Sequence, residues 1–198
     1  MTSTSSVTPE TGDALLIVDV QQDFLPGGNL AVPDGDAVVP VLNEYIRTFT
    51  RHGLPVYATR DWHPANHCSF EPQGGPWPPH CVANTAGAEF ATNLALPENT
   101  TVISKATLTD KDAYSGFEDT DLDLQLTKNH ITTLYIGGLA TDVCVLNTVK
   151  DALRNDYRVY LLTDAIRAVN ARPGNAEKAI DEMQQAGAIP INIDKVVA

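Results

Sequence analysis

The chain has 198 residues, of which 43% are hydrophobic, and a formal net charge of −12. This length and apolar content suit one globular domain with a substantial core. The negative charge argues against nucleic acid as a partner, because binding to a phosphate backbone requires clustered Lys and Arg. The apolar runs are far shorter than the roughly 20 residues that a membrane-spanning helix needs, so we expect no membrane partner.

The N-terminal segment is rich in Ser and Thr and lacks the basic and apolar regions of a signal peptide. We interpret residues 1–13 as a flexible tail and residues 14–198 as a single domain, and we expect a cytoplasmic location. The three cysteines are an odd number without Cys-x-x-Cys spacing. This pattern indicates neither a disulfide framework nor a cysteine-rich zinc site.

Apolar, β-branched runs alternate along the chain with segments of helical periodicity. In chain order, the predicted elements are strand Ala14–Val20, helix Ala37–Arg51, strand Leu54–Thr59, strand Thr101–Ser104, helix Asp121–Asn129, strand Thr132–Gly137, helix Asp142–Asn155, strand Arg158–Thr163, helix Gly174–Ala186 and strand Ile189–Ile193. The strand runs are continuously apolar, which is typical of strands covered by helices on both faces. The sequence therefore predicts a three-layer α/β/α fold with a central, mainly parallel six-stranded sheet.

One long segment, residues 61–89, breaks this alternation. It is rich in proline and glycine, which disfavour regular elements, and it contains two tryptophans and three histidines. Long irregular segments inside a compact domain usually either have a function or are disordered. The aromatic and histidine content favours a function.

Candidate chemistry lies where the predicted strands end. Asp19 lies at the end of the first strand, Asp61 follows the second, and Lys105 ends the third. Residues 137–142 follow the fourth strand and lead Cys144 into the first turn of a helix. Because ligands of such sheets bind outside the carboxyl ends of the strands, we expect these side chains to converge.

Cys144 is the candidate nucleophile. The positive end of a helix dipole favours a thiolate, so we expect a lowered pKa for this thiol. Taken singly, Cys144 equally fits a buried core cysteine, Asp19 a turn residue and Lys105 a solvated lysine. Together, a carboxylate, an ammonium and a thiol at neighbouring strand ends form an acid, base and nucleophile set.

Five segments carry a family resemblance over most of the chain. They are Leu16–Phe24 (LIVDVQQDF), Asp61–Pro64 (DWHP), Trp77–Cys81 (WPPHC), Lys105 with Asp112–Phe117 (DAYSGF), and Gly138–Cys144 (GLATDVC). In this order they resemble the nicotinamidase/pyrazinamidase branch of the isochorismatase-like hydrolases. The resemblance implies the Rossmann-like fold of that family. It also implies hydrolysis of nicotinamide, and of pyrazinamide, to the acid and ammonia in NAD salvage.

The resemblance further implies catalytic roles. Asp19 would accept the Cys144 proton, and the thiolate would attack the carboxamide carbon to give a thioester that water hydrolyses. Lys105 would favour the ionised forms of Asp19 and Cys144. The backbone N–H groups of Ala140 and Cys144 would hold the oxyanion, and the Leu139–Ala140 peptide bond is expected to be cis.

A metal site is predicted in the proline-rich segment. Asp61 and His63, two residues apart, project to the same side of an extended backbone, and His80 can fold over from the far end of the segment. One carboxylate and two imidazoles suit one divalent transition metal ion, with Zn as the first expectation and Fe or Mn as alternatives. Taken alone, the Asp61–His63 pair also fits ordinary surface residues. His67 is a candidate fourth ligand or a donor to the ligands.

The resemblance also assigns substrate contacts. Phe24, Trp77 and Tyr114 would wall the aromatic ring, and Leu139 and Ala140 would lie beside the nucleophile, with core packing as the alternative role for the three aromatics. A cysteine amidohydrolase for another small amide or carbamoyl substrate is the alternative function. A catalytically silent binding protein on the same scaffold is the alternative from another class. The sequence leaves open whether the chain forms a homo-oligomer.

Overall fold

This computed structural model describes residues 6–197, in which helices separate all but one pair of consecutive strands. In chain order they are β1 (Asp13–Val18), α1 (Val38–Arg51), β2 (Val56–Asp61), β3 (Thr101–Lys105), α2 (Leu122–Lys128), β4 (Thr133–Leu139), α3 (Leu146–Arg154), β5 (Arg158–Arg167), α4 (Asn175–Ala186) and β6 (Ile189–Ile191). Every predicted strand and helix is present. The largest differences are that β5 is longer than predicted, and that a π turn, Thr141–Val145, precedes α3.

The sheet has six strands in the order β3-β2-β1-β4-β5-β6, and every neighbouring pair is parallel. The chain builds outward from β1 to β3 on one side, then returns to the other side of β1 to form β4. The carboxyl ends of β1 and β4 therefore flank the switch point of the sheet, where doubly wound folds bind their ligands.

Helices cover both faces of the sheet, as the continuously apolar strands predict. Alternate residues of β1 face opposite layers: Leu15 and Ile17 pack with α1, whereas Leu16 and Val18 pack with residues of α2, α3 and α4. All four side chains are fully buried. Burial of each such side chain contributes about 1.5–3 kcal/mol, so both faces of β1 stabilise the domain.

Gly138 allows β4 to approach β1 closely at the functional edge of the sheet. It lies opposite Val18 with a φ of 124°, and a Cβ at this position would collide with the Val18 backbone. Only glycine combines this left-handed conformation with so little space. The close approach brings together the carboxyl ends of β1 and β4, which Asp19 and Ala140 follow directly.

Part of the predicted flexible tail is tied to the other end of the domain. Residues 1–5 lie outside the described residues. Val7 N–H donates to Lys195 O at 2.8 Å, and Val197 N–H donates to Val7 O at 2.9 Å. These two hydrogen bonds fix this part of the segment against the C-terminal residues. Among the described helices, none combines the length and apolar character that crossing a membrane requires.

Candidate active site and metal-binding cluster

Lys105 lies at the centre of the candidate site and is 1% exposed. Its Nζ lies 3.0 Å from Asp19 Oδ2 and 2.5 Å from Asp61 Oδ1. It also donates to Cys144 Sγ at 3.4 Å and to Ala113 O at 3.2 Å. Burial alone would lower the pKa of Lys105, but the two carboxylates raise it well above its usual value. Lys105 is therefore a permanent cation that holds the ends of β1, β2 and β3 together.

Asp19 is fully buried beside the lysine, in a left-handed conformation with a φ of 48°. Thr59 Oγ1 donates to Asp19 Oδ1 at 2.6 Å. Burial raises the pKa of the Asp19 carboxyl group, and the Lys105 ammonium acts in the opposite direction. The polar side-chain atoms of Asp19, Asp61 and Cys144 lie within 4.8 Å of one another. A carboxylate of raised pKa at this distance is suited to accept and return a proton.

Cys144 lies in the π turn rather than in an α-helical first turn. Ala140 O accepts hydrogen bonds from both Val143 N–H and Val145 N–H at 3.1 Å, so the turn is wider than an α-helix. The expectation of a lowered thiol pKa is wrong. Burial raises the pKa of Cys144 well above its usual value, and the lowering by Lys105 does not offset it. A raised pKa favours the thiol form, which needs a proton acceptor to become the nucleophile. We call Asp19, Lys105 and Cys144 the catalytic cluster.

The peptide bond between Leu139 and Ala140 is cis, as the family resemblance implies. The two residues have different surroundings. Ala140 lines the pocket in front of Cys144. Leu139 is fully buried in the core on the α1 side of the sheet and is not among the residues that line this pocket. The structure thus brings Ala140, but not the Leu139 side chain, to the predicted substrate position, because the Leu139 side chain packs in the core instead.

Asp61, His63 and His80 are buried together, and each offers a ligand atom within 4.8 Å of the others. His63 Nδ1 lies 3.0 Å from His80 O, and His80 Nδ1 lies 2.7 Å from Pro78 O. Because a carbonyl only accepts, each Nδ1 carries the proton and each Nε2 keeps its lone pair for a metal. Burial, with a contribution from His80, lowers the pKa of His63 to about 3, so this ring is neutral.

Asp61 also keeps a ligand atom, because only its Oδ1 contacts Lys105. The donor set of one carboxylate oxygen and two imidazole nitrogens fits a divalent transition metal ion and leaves coordination positions for other ligands. We call Asp61, His63 and His80 the metal cluster.

His67 is buried, and protein groups occupy both of its ring nitrogens. Nε2 donates to Lys111 O at 3.0 Å, and Nδ1 accepts from Ser69 Oγ at 2.7 Å. Its ring lies 4.4 Å from that of His63, and the polar atoms of His63, His67 and Asp112 come within 4.8 Å of one another. Ser69 N–H also donates to His67 Nδ1, at 3.3 Å. Metal binding by His67 would break hydrogen bonds at one of its ring nitrogens, so the geometry favours a role in packing against His63 and orienting it.

One pocket joins the two clusters. Cys144 and all three residues of the metal cluster line it, and the predicted aromatic residues Phe24, Trp77 and Tyr114 form part of its wall. Trp77 Nε1 donates to Tyr114 Oη at 3.2 Å, which links two segments across the pocket. The remaining lining residues are Leu30, Val32, Ser69, Asp112, Ala113, Ala140, Val143 and Val169. The pocket thus brings apolar walls, the nucleophile and the candidate metal ligands together in one cavity.

Two buried residues near the site were not assigned roles from the sequence. Gln21 and Asp23 follow Asp19 at intervals of two, and they make side-chain hydrogen bonds to backbone groups of the proline-rich segment. Their spacing in a segment without helical periodicity was the available signal, since alternate side chains of an extended segment face the same way.

Comparison with known proteins confirms the family predicted from the five segments. The model of the isochorismatase domain matches residues 13–195. The nicotinamidase of Escherichia coli (strain K12) is 42% identical over 196 residues, covering 88% of this chain and 92% of that protein.

Two solved structures show the same fold. The pyrazinamidase of Pyrococcus horikoshii in complex with zinc is 50% identical, with a TM-score of 0.89, over 92% of this chain and 99% of that one. PnC1 from L. infantum in complex with nicotinate is 35% identical, with a TM-score of 0.90, over 98% of this chain and 100% of that one. The chain therefore belongs to the isochorismatase family.

Proposed function

We propose that this protein is a nicotinamidase, which hydrolyses nicotinamide to nicotinate and ammonia. The observation that carries the proposal is that the Cys144 thiol and the metal cluster line one pocket with aromatic walls. A flat heteroaromatic amide suits this arrangement, because its ring can stack on the walls while its amide reaches the thiol. The similarity to the nicotinamidase of Escherichia coli supports the same substrate.

In the proposed reaction, Asp19 takes the proton of the Cys144 thiol as the sulfur attacks the carboxamide carbon. The resulting tetrahedral intermediate collapses, the C–N bond breaks, and the proton on Asp19 passes to the departing nitrogen to give ammonia. Asp19 then takes a proton from a water molecule as that water attacks the thioester. The C–S bond breaks, the departing sulfur regains the proton from Asp19 as the free thiol, and the product acid ionises in solvent to nicotinate. Lys105 keeps its charge throughout and stabilises the ionised states of Asp19 and Cys144.

The developing oxyanion needs donors that are already oriented. We assign this role to the backbone N–H groups of Ala140, which directly precedes the π turn, and of Cys144, which lies within it. π turns are rare and frequently occur at functional sites. The backbone N–H groups of Val143 and Val145 both donate to the carbonyl oxygen of Ala140, and these hydrogen bonds fix the orientation of the Ala140–Thr141 peptide.

Asp61, His63 and His80 would hold one divalent metal ion, for which we propose zinc. The metal would bind the pyridine nitrogen and so orient the ring. The similarity to a pyrazinamidase solved with zinc supports this choice. Pyrazinamide should be a substrate too, since it keeps both a ring nitrogen and the carboxamide. The product nicotinate would be available for the synthesis of NAD.

A substrate profile tests the proposal. We expect ammonia release from nicotinamide and pyrazinamide, and a much lower kcat/KM for benzamide, which has the same ring size and amide but no ring nitrogen. Release of ammonia from a small carbamoyl compound, with no activity on nicotinamide, would favour the alternative amidohydrolase function. Hydroxylamine added during turnover should divert the acyl group to nicotinohydroxamate, because it competes with water for the thioester.

A further inference from the structure

The segment after β1 buries three polar side chains at intervals of two residues. Asp19, Gln21 and Asp23 are 0%, 0% and 6% exposed. Asp19 belongs to the catalytic cluster, whereas the reaction proposed above gives no role to Gln21 or Asp23. Burying polar side chains costs free energy unless their hydrogen-bonding groups are satisfied, so the partners of these two residues indicate what they do.

The Gln21 carboxamide pairs with the backbone of the metal-cluster residue Asp61. Gln21 Oε1 accepts from Asp61 N–H at 2.8 Å, and Gln21 Nε2 donates to Asp61 O at 2.8 Å. Nε2 makes a second hydrogen bond, to Ala88 O, at 2.9 Å. The β1–β2 ladder ends at the pair Val18 and Thr59, so Asp61 has no β1 residue opposite it. The Gln21 side chain takes the place of a strand there and fixes the Asp61 peptide groups.

The Asp23 carboxylate performs a corresponding task beside His80. Its Oδ2 accepts from the N–H of Cys81, the residue next to His80, at 2.7 Å. Its Oδ1 accepts from Asn29 N–H at 3.1 Å. Cys81 O in turn accepts from His63 N–H at 3.0 Å, so the backbone of the same residue also connects to a second member of the metal cluster. Hydrogen bonds from N–H groups to a buried carboxylate are stronger than those between neutral groups.

We propose that Gln21 and Asp23 are positioning residues for the metal cluster, and that they set its metal affinity by fixing the backbone at Asp61 and at the His80–Cys81 peptide. The segment after β1, which carries the proposed base Asp19, would then also carry the two residues that position the metal ligands. The inference rests on the metal site proposed above. Partners that orient metal ligands typically change affinity by about 10–100-fold when they are removed.

Direct measurement of metal affinity separates this role from a general stabilising one. Zn²⁺ is titrated into metal-free protein against a chromophoric chelator, and the urea unfolding of the metal-free protein is measured in parallel. We expect Gln21→Met and Asp23→Ala to bind Zn²⁺ at least about 10-fold more weakly than the unsubstituted protein. The matched control is Tyr45→Phe, which removes a hydrogen bond from buried Tyr45 to Asp164 and should leave Zn²⁺ affinity unchanged.

Two further variants act on Asp23 more gently and keep the test decisive if the first pair fails to fold. Asp23→Asn retains a carbonyl acceptor for Cys81 N–H. It should therefore bind Zn²⁺ more tightly than Asp23→Ala does, with an affinity nearer that of the unsubstituted protein. Gly87→Ala changes no hydrogen-bonding group, but its Cβ would overlap the Asp23 carboxyl group. It should therefore weaken Zn²⁺ binding by displacing this carboxylate.

The outcomes are distinguishable. Suppose that the unsubstituted protein binds Zn²⁺ but that Gly87→Ala, and whichever of Gln21→Met and Asp23→Ala folds, bind it with unchanged affinity. This result would overturn the inference and leave the proposed metal site standing. An equal loss in Tyr45→Phe would also overturn it, because the effect would then follow general destabilisation. Absence of Zn²⁺ binding by the unsubstituted protein would overturn the metal site and the inference together. If these variants bind Zn²⁺ more weakly and the unsubstituted protein is inert toward nicotinamide, the inference is supported and the substrate assignment is contradicted.

Discussion

Lys105 Nζ lies 2.5 Å from Asp61 Oδ1, and this ion pair joins the catalytic cluster to the metal cluster. Lys105 ends β3 and Asp61 ends β2, and the two residues are directly opposite each other in the parallel ladder. One buried cation is thus paired with both the carboxylate of the proposed base, Asp19, and that of a proposed metal ligand. A change at Lys105 should affect the stability of the fold as well as the reaction.

Replacing Lys105 with methionine should lower the free energy of unfolding and abolish activity. Lys105→Met keeps most of the side-chain volume but leaves two buried carboxylates without their cation, which we expect to cost about 3–5 kcal/mol. Urea unfolding and ammonia release are the measurements. Lys150→Met is the control, because the ion pair of Lys150 with Glu182 is partly exposed and should contribute no more than about 1 kcal/mol. Equal effects of the two substitutions would contradict the central role of Lys105.

Removing the Cys144 thiol should abolish catalysis without unfolding the protein. We expect Cys144→Ala to lower kcat by at least about 10³-fold, because the covalent step has no other nucleophile. Cys68→Ala is the control, since Cys68 is only half-buried and does not line the pocket. Ammonia release that survives in Cys144→Ala would rule out the thioester mechanism.

Removing one imidazole of the metal cluster should reduce metal content. His63→Ala deletes a candidate ligand, so we expect Zn²⁺ affinity to fall by more than about 100-fold, beyond the effect of removing a supporting residue. Metal content after dialysis, measured by atomic emission, checks this. His52→Ala is the control because His52 is exposed at the end of α1. Full metal content in His63→Ala would show that the ion binds elsewhere.

Adding a methyl group at Gly138 should destabilise the junction of β1 and β4. Gly138→Ala places a Cβ against the Val18 backbone at a φ of 124°. Gly174→Ala is the control, because Gly174 also has a positive φ, of 89°, but has no atom within 4 Å of its added Cβ. We expect the free energy of unfolding of the control to fall by about 1–2 kcal/mol through backbone strain. For Gly138→Ala we expect it to fall by about 1–3 kcal/mol more, because the added Cβ overlaps the Val18 backbone. Urea unfolding measures both, and equal losses would contradict the close approach.

Much of the fold could be predicted because it depends on local patterns. The apolar runs from β1 to β6 gave the strand positions, and the alternation with helices implied a parallel sheet. The convergence of Asp19, Asp61 and Lys105 followed from one rule, since the carboxyl ends of parallel strands lie at one edge. The π turn at Thr141–Val145 could not be predicted, because it depends on how the chain leaves β4 rather than on periodicity.

The parts of the site that escaped prediction depend on three-dimensional surroundings. The pKa of Cys144 is raised because burial outweighs the adjacent ammonium, and burial comes from segments distant in sequence. His67 has the composition of a metal ligand, but its nitrogens bind Ser69 and Lys111. For Gln21 the sequence offers only its spacing of two residues from Asp19. The role proposed for it rests on the pairing of its amide with the backbone of Asp61, which depends on the folded structure.

The most direct test is the release of ammonia and nicotinate from nicotinamide by the purified, zinc-loaded protein. The proposed function predicts equal amounts of the two products, loss of turnover on chelation, recovery when Zn²⁺ is restored, and no turnover by folded Cys144→Ala. A folded, zinc-loaded protein that releases neither product from nicotinamide would contradict the assignment.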